Sequence, residues 1–235
     1  MLFFLLLVSI LHISHATQLQ VVGNFAVVAK HDAHVAYENK ELKVYVGKLW
    51  CGVQNLGEDV TVAYGHFIRA RDGKQFEAEI VGKHAVLDVG RAPSTVAGKY
   101  KCEVRTDDDD LLNGNLFIYM APVLHLPAGA DHVTEVPQSR PPKVLGAKIT
   151  VSEGDLLTLK CPVFGSPEPF VHWEKVEHSI VSERTEYRGN DLILSSVRSS
   201  DAGVYRCTAD NSFPIFVGGP SIAHQLIYDQ TVIIA

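Results

Sequence analysis

The chain is predicted to be all-β, built as two tandem sandwiches, and three features of its 235 residues carry that expectation. A Gly-x-Tyr-x-Cys pattern occurs twice, in "TVAGKYKC" (95–102) and in "SSDAGVYRC" (199–207). Two of the four cysteines fall in each half. Short alternating runs such as "DLILSSV" (191–197) show the period of a half-buried strand.

In chain order, the first element is "MLFFLLLVSILHISHA" (1–16). It has no charged side chain, is apolar from Leu2 to Ile13, and ends with Ser14 and Ala16 at the small-residue positions that signal peptidase reads. A cleaved secretory signal is expected, because a membrane anchor needs about 20 apolar residues. A first domain is expected over 20–126 and a second over 143–228. Between them, 127–142 contains four prolines and reads as a linker that restricts the hinge and holds the domains extended. After Ile215 the apolar C-terminal segment is broken by Gly218, Gly219, Pro220, His224 and Asp229, so no second membrane span is expected.

Composition narrows the function. A net charge of −6 with no Lys/Arg run argues against a nucleic-acid partner, which needs a concentrated basic face. The sequence has no nucleophile elbow, phosphate-binding glycine loop or H-E-x-x-H helix, so no enzyme and no cofactor are expected. "HDAH" offers only His31 and His34 as metal ligands and indicates no third, so no metal site is expected. No N-x-[ST] sequon occurs.

Secretion permits disulfides. Cys51, Cys102, Cys161 and Cys207 allow three connectivities. Pairing within each half closes loops of 51 and 46 steps and gives both halves the same anatomy. In the chain-entropy account each such bridge contributes roughly 4 kcal/mol. The tyrosine two residues before the second cysteine, Tyr100 or Tyr205, is the mark of a corner in which the hydroxyl bonds back to nearby backbone. Trp173, 12 residues after Cys161, completes the expected core of the second half.

At this point the residues resemble a family. "EGDLLTLKC", "GSPEP", Trp173 and "DAGVYRC" follow the order and spacing of an intermediate-set immunoglobulin domain, across 143–212. The resemblance implies that Asp201 buttresses its corner through a charge partner, Arg184 or Arg188, a role that Val96 in the first copy cannot fill. The first half, with "KLWCGV" and "AGKYKCEV", resembles the family less closely and lacks the tryptophan about 12 residues after its first cysteine. Trp50 is adjacent to Cys51 and therefore points to the opposite sheet face. Tyr64 or Phe67 must fill the core; Phe67 is favoured because "FIRARDGK" resembles the strand and turn that follow the tryptophan in the family.

Two loops of the first half should meet at the tip pointing away from the second domain. They are "QNLGEDV" (54–60) and "RTDDDDLLNGN" (105–115), which bring Glu58, Asp59, Asp107, Asp108, Asp109 and Asp110 together. Such a tip suits a basic protein surface or weak calcium coordination, against the plainer reading of a solvated loop. In the second half "NSFPIFVGGP" (211–220) places Phe213, Ile215, Phe216 and Val217 in a loop, as a binding patch or as packing against the first domain.

The layout of a signal peptide and two such domains without an anchor also resembles the nematode zwei-Ig secreted neuronal proteins. The resemblance implies an extracellular protein-binding role in nervous-system organisation, with another immunoglobulin-domain protein among the candidate partners. It is equally the layout of insect secreted proteins that bind insulin-like peptides, so a soluble sequestering protein is the alternative, and a matrix component a further one. The sequence leaves the oligomeric state open.

Overall fold

A computed structural model describes residues 18–130, 133–177, 180, 182–216 and 218–235. The expected signal peptide (1–16) and Val217 lie outside the described residues.

The first half contributes ten strands: β1 (Gln20–Gly23), β2 (Ala26–Val28), β3 (Val35–Tyr37), β4 (Lys43–Gln54), β5 (Val62–Arg69), β6 (Gln75–Glu77), β7 (Glu79–Val81), β8 (His84–Pro93), β9 (Gly98–Thr106) and β10 (Leu111–Leu126). One sheet has the order β1-β4-β8-β7. The facing sheet runs β10-β9-β5-β6, with β2 and β3 parallel to β10 along its other edge. Alternation sets the faces: Tyr100, Cys102 and Val104 of β9 point inward, while Lys99, Glu103 and Arg105 lie on the other side.

The second half adds β11 (Thr134–Val136), β12 (Lys143–Val151), β13 (Leu157–Leu159), β14 (Val163–Ser166), β15 (Phe170–Lys175), β16 (Thr185–Arg188), β17 (Asp191–Leu194), β18 (Gly203–Pro214) and β19 (Ser221–Ile234). Its sheets are β11-β12-β19-β18-β15 and β13-β17-β16. The exception is β14, which joins neither sheet and pairs with the end of β10, Leu124 opposite Val163 and Met120 opposite Ser166.

That pairing makes β10 the backbone of the whole molecule. Met120 is buried in the first core, whereas Leu124 and Leu126 of the same strand are buried in the second. The chain thus passes from one core to the other inside a hydrogen-bonded strand, before the prolines begin. Within 127–142, Thr134–Val136 pair antiparallel with β12, so this stretch supplies an edge strand of the second unit.

Both disulfides close within a half, Cys51 to Cys102 and Cys161 to Cys207, with Cα separations of 6.7 and 6.3 Å. Both tyrosine corners form. The Tyr100 hydroxyl donates to the Val96 carbonyl at 2.7 Å and the Tyr205 hydroxyl to the Asp201 carbonyl at 2.9 Å. The corner therefore needs only a carbonyl, which is why valine serves in the first copy. Asp201 adds a second layer: Arg184 donates two hydrogen bonds to its carboxylate at 2.7 and 3.1 Å, and the Arg198 N–H donates a third at 2.8 Å. Arg184 is thus the partner, and Arg188 pairs with Glu186 instead. Trp173 is buried, with its indole N–H donating to the Asn190 carbonyl at 3.0 Å. Phe67 is fully buried, while Tyr64 is 46% exposed.

Candidate functional site

Three surfaces warrant comparison, and the acidic tip comes first. The structure brings its two loops together through Asp107, whose carboxylate accepts from the Thr61 N–H at 3.0 Å and the Thr61 hydroxyl at 3.1 Å. The Asp107 N–H returns a bond to the Thr61 carbonyl at 3.1 Å. The Thr61 donors hold the Asp107 carboxyl below its ordinary pKa. Asp109 takes a left-handed conformation, φ 71°, and pairs with Arg105 at 3.1 Å. Asp107 and Asp109 are therefore occupied in shaping the loop. The carboxylates of Glu58, Asp59, Asp108 and Asp110 are exposed and find no partner among the described residues. The tip sits at the start of β10 and the second unit at its end, roughly 45 Å apart at the rise of an extended strand.

The stretch expected as an apolar loop (211–220) is in part strand: Asn211–Pro214 end β18 and pair with β19. Phe213 is 1% exposed and so is not part of a surface patch; its ring is stacked between Tyr119 at 5.2 Å and His224 at 3.9 Å. Tyr119 stacks in turn on Phe117 at 5.7 Å, which makes a column of four rings crossing from one unit to the other. Next to it, the Asn211 amide donates to the carbonyls of Met120 at 2.9 Å and Pro167 at 2.8 Å. These contacts fill the junction between the units, the packing alternative anticipated for this loop. Phe216 and Ile215 remain open, 58% and 52% exposed.

The third surface was not expected as a site. Trp50 lies on the outer face of the β1-β4-β8-β7 sheet, 36% exposed, over a hollow of about 370 Å³ lined by Lys48, Glu79, Val81, His84 and Val86. The position of its backbone is fixed. Asn24 accepts from the Trp50 N–H and donates to the Lys48 carbonyl, both at 2.8 Å. The His84 ring meets the indole edge-on at 5.1 Å. It reaches there because residue 52 is glycine: a Cβ would stand 2.5 Å from the Lys83 carbonyl oxygen and 2.8 Å from the His84 ring. Alternation from Cys51 shows which way Trp50 points, but not that strands from elsewhere in the chain deliver Val81 and His84 beside it.

Among the described residues no group of three or more His, Cys, Asp or Glu is placed to hold a metal ion. His31 and His34 lie 5.5 Å apart edge-on, and burial lowers the His31 pKa. Among the described residues no helix is long and apolar enough to cross a membrane.

Two disulfide-pinned sandwiches, each with its tyrosine corner and sharing one long strand, define a tandem immunoglobulin module. Residues 17–119 match the family described as Zwei immunoglobulin domain protein, N-terminal, and 141–211 match the immunoglobulin domain. The chain is 46% identical over 218 residues to Zwei Ig domain protein zig-7 of Caenorhabditis elegans, covering 92% of this chain and 91% of that one. It is 32% identical over 187 residues to zig-1 of the same organism, covering 78% and 67%. Among solved structures, the titin tandem A164–A165 is similar at a TM-score of 0.48 and 16% identity, over 93% of this chain and all of that one. The chain belongs to the zwei Ig domain family.

Proposed function

We propose that this chain is a secreted, non-enzymatic recognition protein of nervous tissue that binds another extracellular or cell-surface protein with the outer tip of its first domain. The observation that carries the reading is the Asp107–Thr61 clamp, which fuses two loops into one rigid acidic end. Four carboxylates remain available there, and β10 holds that end far from the second unit. A preorganised tip loses less ordering entropy on binding than two free loops would. Its charge favours a basic face on the partner and raises the rate of encounter. Membership of the zwei family supports the extracellular setting and, through the resemblance of layout, the neuronal one. Another immunoglobulin-domain protein is the favoured partner.

A screen of the purified mature protein against extracellular domains and secreted peptides tests this, run alongside Asp108→Asn/Asp110→Asn. Hits on immunoglobulin-type receptors that weaken in the double variant support the proposal. Hits confined to insulin-like peptides, or binding indifferent to the variant, would overturn it.

A further inference from the structure

We propose that the first domain holds the chain of a medium-length fatty acid in a slot between its two sheets, beside the tyrosine corner. The slot has a volume of about 230 Å³ and is lined by Phe76, Leu87, Val89, Ala92, Val96 and Tyr100. Asp88 stands at its rim; alternation along β8 turns Leu87 and Val89 inward and the Asp88 side chain to the outer face, opposite Lys48. The second unit shows why the slot is open. Each unit has a hairpin here, turning between Val81 and His84 or between Arg188 and Asp191. Three residues past the turn, Leu194 is flanked by Thr185 of β16. The corresponding Leu87 has no partner from β7, which ends at Glu79 opposite Val86, because Gln75–Glu77 turn aside to pair with β5. Arg184, whose carbonyl accepts from the Ser195 N–H, also reaches from this edge of the second unit to the Asp201 carboxylate. In the first unit Val96 takes the place of Asp201 and offers methyl groups instead of charge.

The wall selects an apolar chain and the rim selects its head group. The one hydroxyl in the wall, that of Tyr100, is already bonded to the Val96 carbonyl. An apolar cavity of about 150 Å³ stays dry and takes up benzene, so this larger slot suits a chain of roughly eight carbons. Phe76, Leu87, Val89 and Val96 pack against the core yet remain partly open, and a chain laid between them removes that surface from water. Two cations stand over the Phe76 ring, the Lys74 ammonium 5.1 Å and the Arg69 guanidinium 5.7 Å from its centroid. The turn 69–74 carries Arg69, Arg71 and Lys74 against the single carboxylate of Asp72, in a chain whose net charge is −6. Asp72 is taken up by two hydrogen bonds from Arg69, and the Lys74 ammonium finds no carboxylate partner among the described residues. A carboxylate leaving the slot past Phe76 meets that ammonium, whereas a cationic head is repelled there.

Methyl NMR titration of the mature full-length protein with hexanoate, octanoate, decanoate and dodecanoate, each below its micelle threshold, tests the proposal. Saturable shifts are expected at the methyls of Leu87, Val89 and Val96. Affinity should rise about fourfold per added methylene and level off beyond roughly eight to ten carbons, where further methylenes stay in water. Octyltrimethylammonium, with the same chain and the opposite charge, should bind several-fold more weakly than octanoate. Lys74→Glu should weaken octanoate several-fold at an unchanged melting temperature. Val89→Phe fills the slot and should abolish the shifts at Leu87 and Val96. Val96→Asp, which installs the residue of the second unit, should do the same and serves if the first variant does not fold. The proposal is overturned by an absence of saturable shifts, by affinity that climbs steadily through dodecanoate, by equal binding of the two head groups, or by binding that survives in a folded slot variant. The acidic tip lies at the other end of β9 from the corner, so octanoate binding and the partner screen fail separately.

Discussion

Phe67 stands directly opposite Cys102 in the ladder between β5 and β9, the position that Trp173 occupies opposite Cys207 between β15 and β18. Both rings are buried beside an inter-sheet disulfide. The indole needs a partner for its N–H and finds the Asn190 carbonyl; phenylalanine fills the same place with no polar group to satisfy. Phe67→Ala should therefore destabilise the first unit by about 3–5 kcal/mol. Tyr64→Ala, on the open face, should stay within about 0.5 kcal/mol. Denaturant unfolding with the disulfides intact reads both, and equal losses would contradict this placement of the core.

The same residue shows what the sequence made legible. Twelve positions after Cys51 comes Ala63, which is exposed, because the loop before β5 is longer than its counterpart in the second unit. Counting from the cysteine fails there, while the strand-and-turn likeness of 67–74 succeeds. The repeated Gly, Tyr and Cys identified both corners because their partners lie within four residues. Phe213 was different: it ends strand β18, and an apolar run gives no sign of being exposed or covered when its cover, Tyr119, is distant in the chain. The prolines of 127–142 indicated stiffness, but nothing local revealed that β10 would serve two cores. Trp50 was legible in direction only, since the hollow beneath it is assembled from three strands.

Asp201 makes the second corner sensitive to acid. The Arg184 hydrogen bonds hold its carboxyl below the ordinary value of 3.8 against the opposing effect of burial. A depressed carboxylate contributes stability above its unfolded pKa and loses it as pH falls through the folded one. The second unit should thus lose stability below about pH 4. Asp201→Asn should flatten that acid limb and lower the melting temperature at neutral pH. Calorimetry from pH 2 to 7 checks both; an unchanged acid limb would exclude Asp201 as its source.

The column of rings at the junction predicts a rigid pair of domains that loosens in mild acid. Burial holds His224 below its ordinary 6.5, so its neutral form is the one the junction accommodates. That contribution is complete above about pH 6.5 and is lost as pH falls through the lower folded value. Small-angle scattering should show a single interdomain geometry at neutral pH and a broader distribution toward pH 5. Phe213→Ala, which removes the ring between Tyr119 and His224, should broaden it at every pH and cost about 3–5 kcal/mol. His224→Leu should remove the pH response, and a response that persists would trace it to another group.

The acidic tip separates shape from charge, because different aspartates serve each. Asp107→Ala removes the acceptor for both Thr61 donors, so amide exchange should quicken across 57–61 and 107–110 while net charge changes by a single unit. Asp108→Asn/Asp110→Asn leaves the clamp intact and removes two exposed charges. It should slow association with a basic partner several-fold in dilute salt, with little change in dissociation or melting temperature. Because exposed charges are screened within about 8 Å at physiological ionic strength, that deficit should vanish as salt is raised. Surface plasmon resonance at several salt concentrations distinguishes the cases. A double variant that instead dissociates faster at every salt would mean that Asp108 and Asp110 make direct contacts in the complex and do not act by steering alone.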